Sequence, residues 1–358
     1  MVNKMRKLAT IRRIDEINPI DGADLIEVVT VGGWKIVVKK NEFKVGDLAV
    51  YFEIDSWIPH ELAPFLSKGQ EPREFEGVKG ERLRTIRLKG QISQGLLLPL
   101  EPTCSNIESI LMEDLDVTEP LGILKYEKPM PAQLAGLAKG NFPSYIPKTD
   151  EERIQNLKKE LVKWQEQGLA FEISEKLDGS SMTVYITTEQ NEDDQDVPRF
   201  GVCSRNLELK DTEGNSYWEI AKKYDLKSKL TQFNIDWGSR IAIQGELCGE
   251  GIQGNKYKLT GRDFYVFRIY NMEIGEYMSP YQQDDICRLL ELKQVPELGC
   301  TRLNNYTIDS LLEFAEGKSK LNPNVEREGI VFKCYDEKAG QPHFKAISNR
   351  FLIKNGDD

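Results

Sequence analysis

Phe171-Glu172-Ile173-Ser174-Glu175-Lys176-Leu177-Asp178-Gly179-Ser180-Ser181 decides how the rest of the chain is read. The first seven residues have strand character, and Met182-Thr183-Val184-Tyr185-Ile186-Thr187-Thr188 has it again. The interruption predicts a strand that ends in a turn, because Gly179 permits tight local geometry. Side chains alternate across a strand, so Lys176 and Asp178 are expected on one face. Taken alone, K-x-D-G is a weak signal; its meaning depends on the segments around it.

Downstream, apolar-rich runs such as RIAIQGELC, DFYVFRIY, GIVFKCY and HFKAIS alternate with polar loops. Helical spacing appears near 281–293 and 307–316, so this part reads as an α+β domain with mainly antiparallel sheets. The acidic run EQNEDDQD at 189–196 reads as a solvated loop. Upstream, KLATIRRI, LIEVVTV, WKIVVKK, LAVYFEI, RLRTIRL and GLLLPL lie within the first 125 residues, several of them separated by turn signals. Strands this short and this numerous predict a small closed β-barrel, for which the OB-fold is the common solution and nucleic acid a frequent ligand. Pro129, Pro131, Pro143 and Pro147 mark residues 126–148 as a linker. Thr149-Asp150-Glu151-Glu152 then has capping-box spacing, and Ile154, Leu157, Leu161 and Trp164 predict one helix running to Gly168. The expected organisation is a nucleic-acid-binding barrel at 1–125, a linker at 126–148 and an α+β domain at 149–358.

The bulk numbers narrow the function classes. At 358 residues, two domains are expected. Apolar residues make up 39% and charged residues 30%, and nothing approaches the ~18 uninterrupted apolar residues of a membrane span. The basic N-terminal MVNKMRKLATIRRID has no apolar core of a secretory signal, so a cytoplasmic or nuclear location is expected. Six cysteines without CxxC spacing and only His60 and His343 argue against a zinc site or a Ser-His-Asp triad. A metal here is expected to be Mg²⁺ or Mn²⁺, held by carboxylates, phosphates and water. The net charge of −10 counts against non-specific coating of nucleic acid, yet leaves room for a local basic groove. Arg82, Arg84, Arg87 and Lys89, on one predicted strand, form such a segment, with ordinary strand-surface charge as the plain alternative.

Company gives the lysine its meaning. After Glu175-Lys176-Leu177-Asp178-Gly179 come Ser204-Arg205-Asn206, Gln244-Gly245-Glu246-Leu247, Phe264-Tyr265-Val266-Phe267, Glu328-Gly329-Ile330-Val331-Phe332-Lys333 and Phe344-Lys345-Ala346, in that order. The series resembles the motifs of the covalent nucleotidyltransferase superfamily of ligases and capping enzymes. Pro147 to Asn156 and Phe344 to Asn349 further resemble the RNA ligase 5 group, whose members place an OB-fold before the catalytic domain. The motif match covers 147–354, and the barrel reading covers the remainder more loosely.

The chemistry can be argued from the residues as well. An amine that attacks the α-phosphorus of ATP must be unprotonated, whereas a free lysine has a pKa of about 10.4, so burial, cations and a metal must lower it. In Ile241 to Leu247, alternation places Ile241, Ile243 and Leu247 on one face and Gln244 with Glu246 on the other, leaving Glu246 to meet ribose or metal or simply solvent. Glu328 and Lys333 have opposite parity and need a bulge or strand end to share a site. Lys333 and Lys345 are the candidate cations for the α-phosphate. What the resemblance implies is wider: Phe267 stacked on the purine, with Arg268 where many relatives carry aspartate; Glu175 in the nucleotide site; Arg153 at the triphosphate end; and Arg205 with Asn206 on nucleotide or RNA. Asp178, Glu246 and Glu328 are the metal candidates.

The expectation is therefore an ATP-dependent RNA ligase that carries AMP on Lys176 and seals 3′-OH/5′-phosphate nicks. Its partner would be a nicked RNA duplex or RNA/DNA hybrid with RNA on the 3′-OH side, and a monomer is expected. A DNA ligase, a GTP-using capping guanylyltransferase and a nucleic-acid-binding protein without activity are the alternatives.

Overall fold

In the computed structural model, which describes residues 6–107, 110–127, 136–190, 193–336 and 340–355, Ala170–Lys176 and Ser180–Gln190 are strands separated by Leu177, Asp178 and Gly179. They enter different sheets. Ala170–Lys176 lies between Glu297–Arg302 and Gly329–Cys334, and His343–Ile347 completes this antiparallel four-stranded sheet. Ser180–Gln190 is central in a seven-stranded sheet, in the order Ala138–Asn141, Leu207–Leu209, Asp196–Cys203, Ser180–Gln190, Ile241–Gly249, Arg262–Asn271, Glu276–Tyr277.

Alternation decides what each face does. Met182, Val184, Ile186, Ile241, Ile243, Leu247 and Phe264 point from the larger sheet into a core closed by the helices Ser216–Lys223, Leu226–Trp237 and Pro280–Leu289. In the smaller sheet, Phe171, Phe332 and Phe344 share one face, where Trp164 stacks on Phe344 at 5.4 Å and Phe332 on Phe344 at 4.5 Å. The opposite face carries polar rows fixed by register: Glu172, Lys333 and His343; then Ser174, Val331 and Lys345; then Lys176, Gly329 and Ile347.

The chain divides into two compact units, one formed by Met1–Pro129, Ile154–Glu160 and Asn349–Asp358, the other by Met130–Arg153 and Leu161–Ser348. Within the first, Leu48–Phe52 pairs with Ala9–Arg13 and Leu96–Pro99, and Ile26–Val31 pairs with Glu16–Pro19 and Trp34–Lys39. Trp34, Ile36, Tyr51 and Leu97 are buried together, with Leu352 of the helix Asn349–Asn355 against them. Trp34 Nε1 donates to Asn156 Oδ1 at 2.6 Å.

Three expectations change. Residues 154–168 are not one helix: Ile154–Asn156 is a 3₁₀ turn and the α-helix is Lys158–Glu166. Tertiary pairing claims the start of this stretch, because Glu152 accepts the backbone N–H of Lys345 at 2.9 Å and Arg153 bridges the same residue, which holds the backbone extended. Part of the expected linker, Ala138–Asn141, is a strand of the larger sheet, while 128–135 lie outside the described residues. RLRTIRL is two strands, Val78–Arg82 and Thr85–Leu88, since Leu83 is buried and exchanges backbone bonds with Asp55 and Ser56. Arg82 is then occupied by Asp55 at 2.7 Å and lies over the Tyr126 ring, so the four basic residues make no continuous stripe. The acidic run at 189–196 joins Ser180–Gln190 to Asp196–Cys203, with 191–192 outside the described residues. Among the described residues, no helix is long and apolar enough to cross a membrane.

Candidate active site

Lys176 ends its strand, and its Nζ donates to Glu328 Oε2 at 2.7 Å. Glu328 immediately precedes Gly329–Cys334, so a strand end resolves its parity conflict with Lys333. Burial works against the Lys176 ammonium, but Glu328, Glu246 and Asp178 outweigh it and hold its pKa above the ordinary lysine value. Burial pushes the Glu246 carboxyl up to about 8, with Lys176 pulling the other way, and it raises Glu328 for the same reason. Three carboxyl groups thus surround the Lys176 ammonium, one of them, Asp178, also paired with Lys256. Such a surplus of negative charge attracts a cation, and while it persists it keeps the amine protonated.

Asp178 lies beyond the strand, so alternation does not place it. Its Oδ2 accepts from Lys256 Nζ at 2.5 Å, and its backbone N–H donates to the Tyr257 hydroxyl at 2.7 Å. Gly179 donates its N–H to Glu246 Oε1 at 2.9 Å. A Cβ at Gly179 would come within 2.4 Å of the Leu247 carbonyl oxygen, so close approach of two strands demands the glycine. Lys256 and Tyr257 escaped the sequence reading because they lie in an irregular connection between Gly249 and Arg262, where no periodicity marks a facing side chain. Among the described residues, no three His, Cys, Asp or Glu side chains converge tightly enough to hold a metal unaided. Asp178, Glu246 and Glu328 nevertheless surround Lys176, a donor set suited to a cation that keeps water and phosphate oxygens as further ligands.

Lys345 and Lys333 project from the same sheet face as Lys176. By strand geometry Lys345 is one row away, about 7 Å along the strand, and Lys333 two rows, about 14 Å. Lys345 Nζ donates to Asp150 Oδ1 at 3.0 Å, and Lys333 Nζ to Glu172 Oε1 at 3.1 Å. Burial lowers the Lys333 pKa, with Glu172 opposing it. Asp150 also lies 3.8 Å from Arg205, and Lys148 donates to Asn206 Oδ1 at 2.7 Å. Arg153, expected on a helix, instead is buried beside Lys345. Glu172 was legible by parity with Lys176; Asp150 lies in an irregular segment and was not.

Phe267 owes its position to a β-bulge. Gln244 pairs with Arg268 but Gly245 pairs with Val266, which leaves Phe267 as the extra residue. Tyr265 and Arg268 consequently share the face of Glu246 and Gln244, and Phe267 packs against the buried cluster that includes Leu177, Cys248 and Tyr257. Arg268 is buried over the Tyr277 ring at 4.9 Å. Glu175 has parity opposite to that of Lys176, and its Oε2 accepts the Lys320 N–H at 2.7 Å. Its side chain braces the loop at 319–320 and does not meet Lys176.

Comparison with known proteins bears on this geometry. A model of an OB-fold domain matches residues 8–100, and the RNA ligase family model matches residues 169–347. Curated proteins give no match. Among solved structures, a lysine-to-alanine mutant of Naegleria gruberi RNA ligase with ATP and Mn is 44% identical, with TM-score 0.86 over 98% of this chain and 100% of that one. A glutamate-to-alanine mutant with AMP and Mn has TM-score 0.86 and 44% identity over 99% and 100% of the two chains. The same ligase with PPi has TM-score 0.85 and 44% identity over 99% and 100%.

Proposed function

The chain belongs to the RNA ligase family, and on that premise we propose that Lys176 is the nucleophile of an ATP-dependent ligase that seals 3′-OH/5′-phosphate nicks. The carrying observation is Lys176 amid Glu328, Glu246 and Asp178, with Lys345 on the same sheet face. The Lys176 amine forms a P–N bond to the α-phosphorus as pyrophosphate departs. AMP then passes to a 5′-phosphate, and the 3′-hydroxyl of the nick displaces it.

The protein's own residues supply the asymmetry this needs. Lys345 neutralises charge that builds on the α-phosphate oxygens, with Lys333 further along the row and Arg153 toward the leaving end. Phe267 presents an aromatic ring to the base, and Arg205 with Asn206 reaches nucleotide or RNA. Glu246 serves ribose or metal. A divalent cation, Mg²⁺ or Mn²⁺, held by Asp178, Glu246 and Glu328 together with phosphate oxygens and water, would offset the carboxylates and lower the Lys176 pKa. The Naegleria gruberi structures with ATP, AMP, PPi and Mn support this assignment of cosubstrate and metal. The substrate in this reading is a nicked duplex with RNA on the 3′-OH side.

Incubation with α-labelled ATP or α-labelled GTP, with Mg²⁺ or Mn²⁺, followed by denaturing electrophoresis, tests it. Label from ATP alone, lost in Lys176→Ala, is the expected result. Label from GTP would make the chain a capping guanylyltransferase in activity, and no label under any condition would make it a binding protein. Efficient sealing of all-DNA nicks would move the acceptor assignment to DNA.

A further inference from the structure

One row along the larger sheet from Glu246, Thr183 stands opposite Gln244, and the two help to line a small polar cleft with Ser181, Lys148, Thr149 and Arg205. Gln244 is only 1% exposed. Its Nε2 donates to the Pro147 carbonyl oxygen at 2.9 Å, and since a carbonyl can only accept, this bond fixes which end of the amide is which. The other end, Oε1, is buried and meets no hydrogen-bond partner among the described residues. A buried acceptor without a donor is unfavourable, and a ligand bearing a hydrogen-bond donor would satisfy it.

The cleft restricts what that ligand is. Lys148 and Arg205 line it, so a phosphodiester chain is favoured, but an ionised phosphate has only acceptor oxygens and cannot satisfy Gln244 Oε1. At the 3′ end of a strand a deoxyribose offers only its 3′-hydroxyl, which is the attacking group of the sealing step, whereas a ribose offers a 2′-hydroxyl donor beside it. The position fits as well: Glu246, bonded to Gly179 beside Lys176, faces Ser181, and the Gln244 row begins about 7 Å further on. We infer that Gln244 Oε1 accepts a hydrogen bond from the 2′-hydroxyl of the terminal nucleotide on the 3′-OH strand. This rests on the ligase reading above and names the group that makes that strand RNA.

The test uses nicked duplexes whose 5′ end is already adenylylated and whose 3′-OH terminal nucleotide is either ribose or 2′-deoxyribose. Sealing is measured for the wild-type protein, Gln244→Leu and Gln244→Met, and formation of the AMP adduct from ATP reports that each variant folds. The wild type is expected to seal the ribose end at least ~10-fold faster, and the ratio is expected to collapse toward one in both variants because only the ribose rate falls. A variant that forms the adduct yet keeps the wild-type ratio overturns the assignment. Loss of the adduct in both variants also overturns it, giving Gln244 to the ATP step or to the fold. A wild type that seals both ends equally well instead overturns the RNA-on-the-3′-OH-side reading itself.

Discussion

The two sheets of the second unit present functional side chains by different means. The smaller sheet keeps unbroken register from Gly329 to Lys333, so Lys176, Lys345 and Lys333 follow simple alternation onto one face. The larger sheet breaks register at Gln244–Gly245, and this break lets Tyr265 and Arg268, three residues apart, share a face with Phe267 between them. Regular strands fix charges at set intervals, which suits neutralisation of a phosphate. A bulge re-aims single side chains, which suits recognition of a base. The difference is between strands in register, which set Lys176, Lys345 and Lys333 at even intervals, and a bulge that re-aims Phe267.

If that division holds, the largest effect belongs to the rows around Gly329–Cys334 in the smaller sheet. Lys345→Ala is expected to slow adduct formation by about 10²- to 10³-fold, as loss of one positioned cation does, in single-turnover assays with saturating ATP. A decrease below tenfold would break the assignment of this row to the phosphate. On the bulged strand, Phe267→Ala is expected to raise the KM for ATP by roughly tenfold to a hundredfold, the equivalent of one lost stacking contact, with little change in kcat. A fall in kcat with unchanged KM would mean that the bulge serves chemistry after all. Lys256→Met frees Asp178 from its ammonium, so the divalent-ion concentration for half-maximal adduct formation is expected to fall about two- to fivefold, a modest change typical of a partly exposed ion pair. An unchanged or higher requirement would mean that Lys256 does not compete with the cation.

The smallest effect is on stability. Burial, with Arg268 and Lys333 nearby, lowers the His343 pKa to about 4, below the ordinary histidine value of 6.5. Its neutral form is favoured by folding, so the stability it contributes is present above pH 6.5 and is lost as pH falls toward 4. Thermal unfolding at pH 7 and pH 5 should therefore show a smaller drop in Tm for His343→Asn than for the wild type, by a few degrees at most. An equal drop would remove His343 from the acid response of this sheet.

Much of this was legible before any coordinates. Antiparallel α+β architecture followed from strand-like runs and helically spaced stretches near 281–293 and 307–316, and the facing of Gln244 and Glu246 followed from alternation with Ile241, Ile243 and Leu247. That Lys176 and Glu328 meet was expected from motif order. What could not be read arose from tertiary choices. Nothing in Phe264 to Arg268 signals that one residue will be extruded from register, since a bulge is selected by the partner strand. Lys256 and Asp150 sit in irregular segments, where contacts depend on where the chain is carried. For Glu175, parity already set its side chain on the face opposite Lys176. Helical pattern alone extended Lys158–Glu166 backwards, because it could not weigh the backbone bonds that Glu152 and Arg153 make with Lys345.

The first unit also borrows Ile154–Glu160 and the helix Asn349–Asn355 from far along the chain. During synthesis the barrel strands emerge first, yet the Asn156 partner of Trp34 and the Leu352 cover of its core are made later. At a translation rate of about 5–20 residues per second, the roughly 220 residues between the last barrel strand and that helix represent ~10–45 s. Through that interval the nascent barrel lacks part of its own seal, so its maturation is timed by the ribosome's passage through the catalytic sequence.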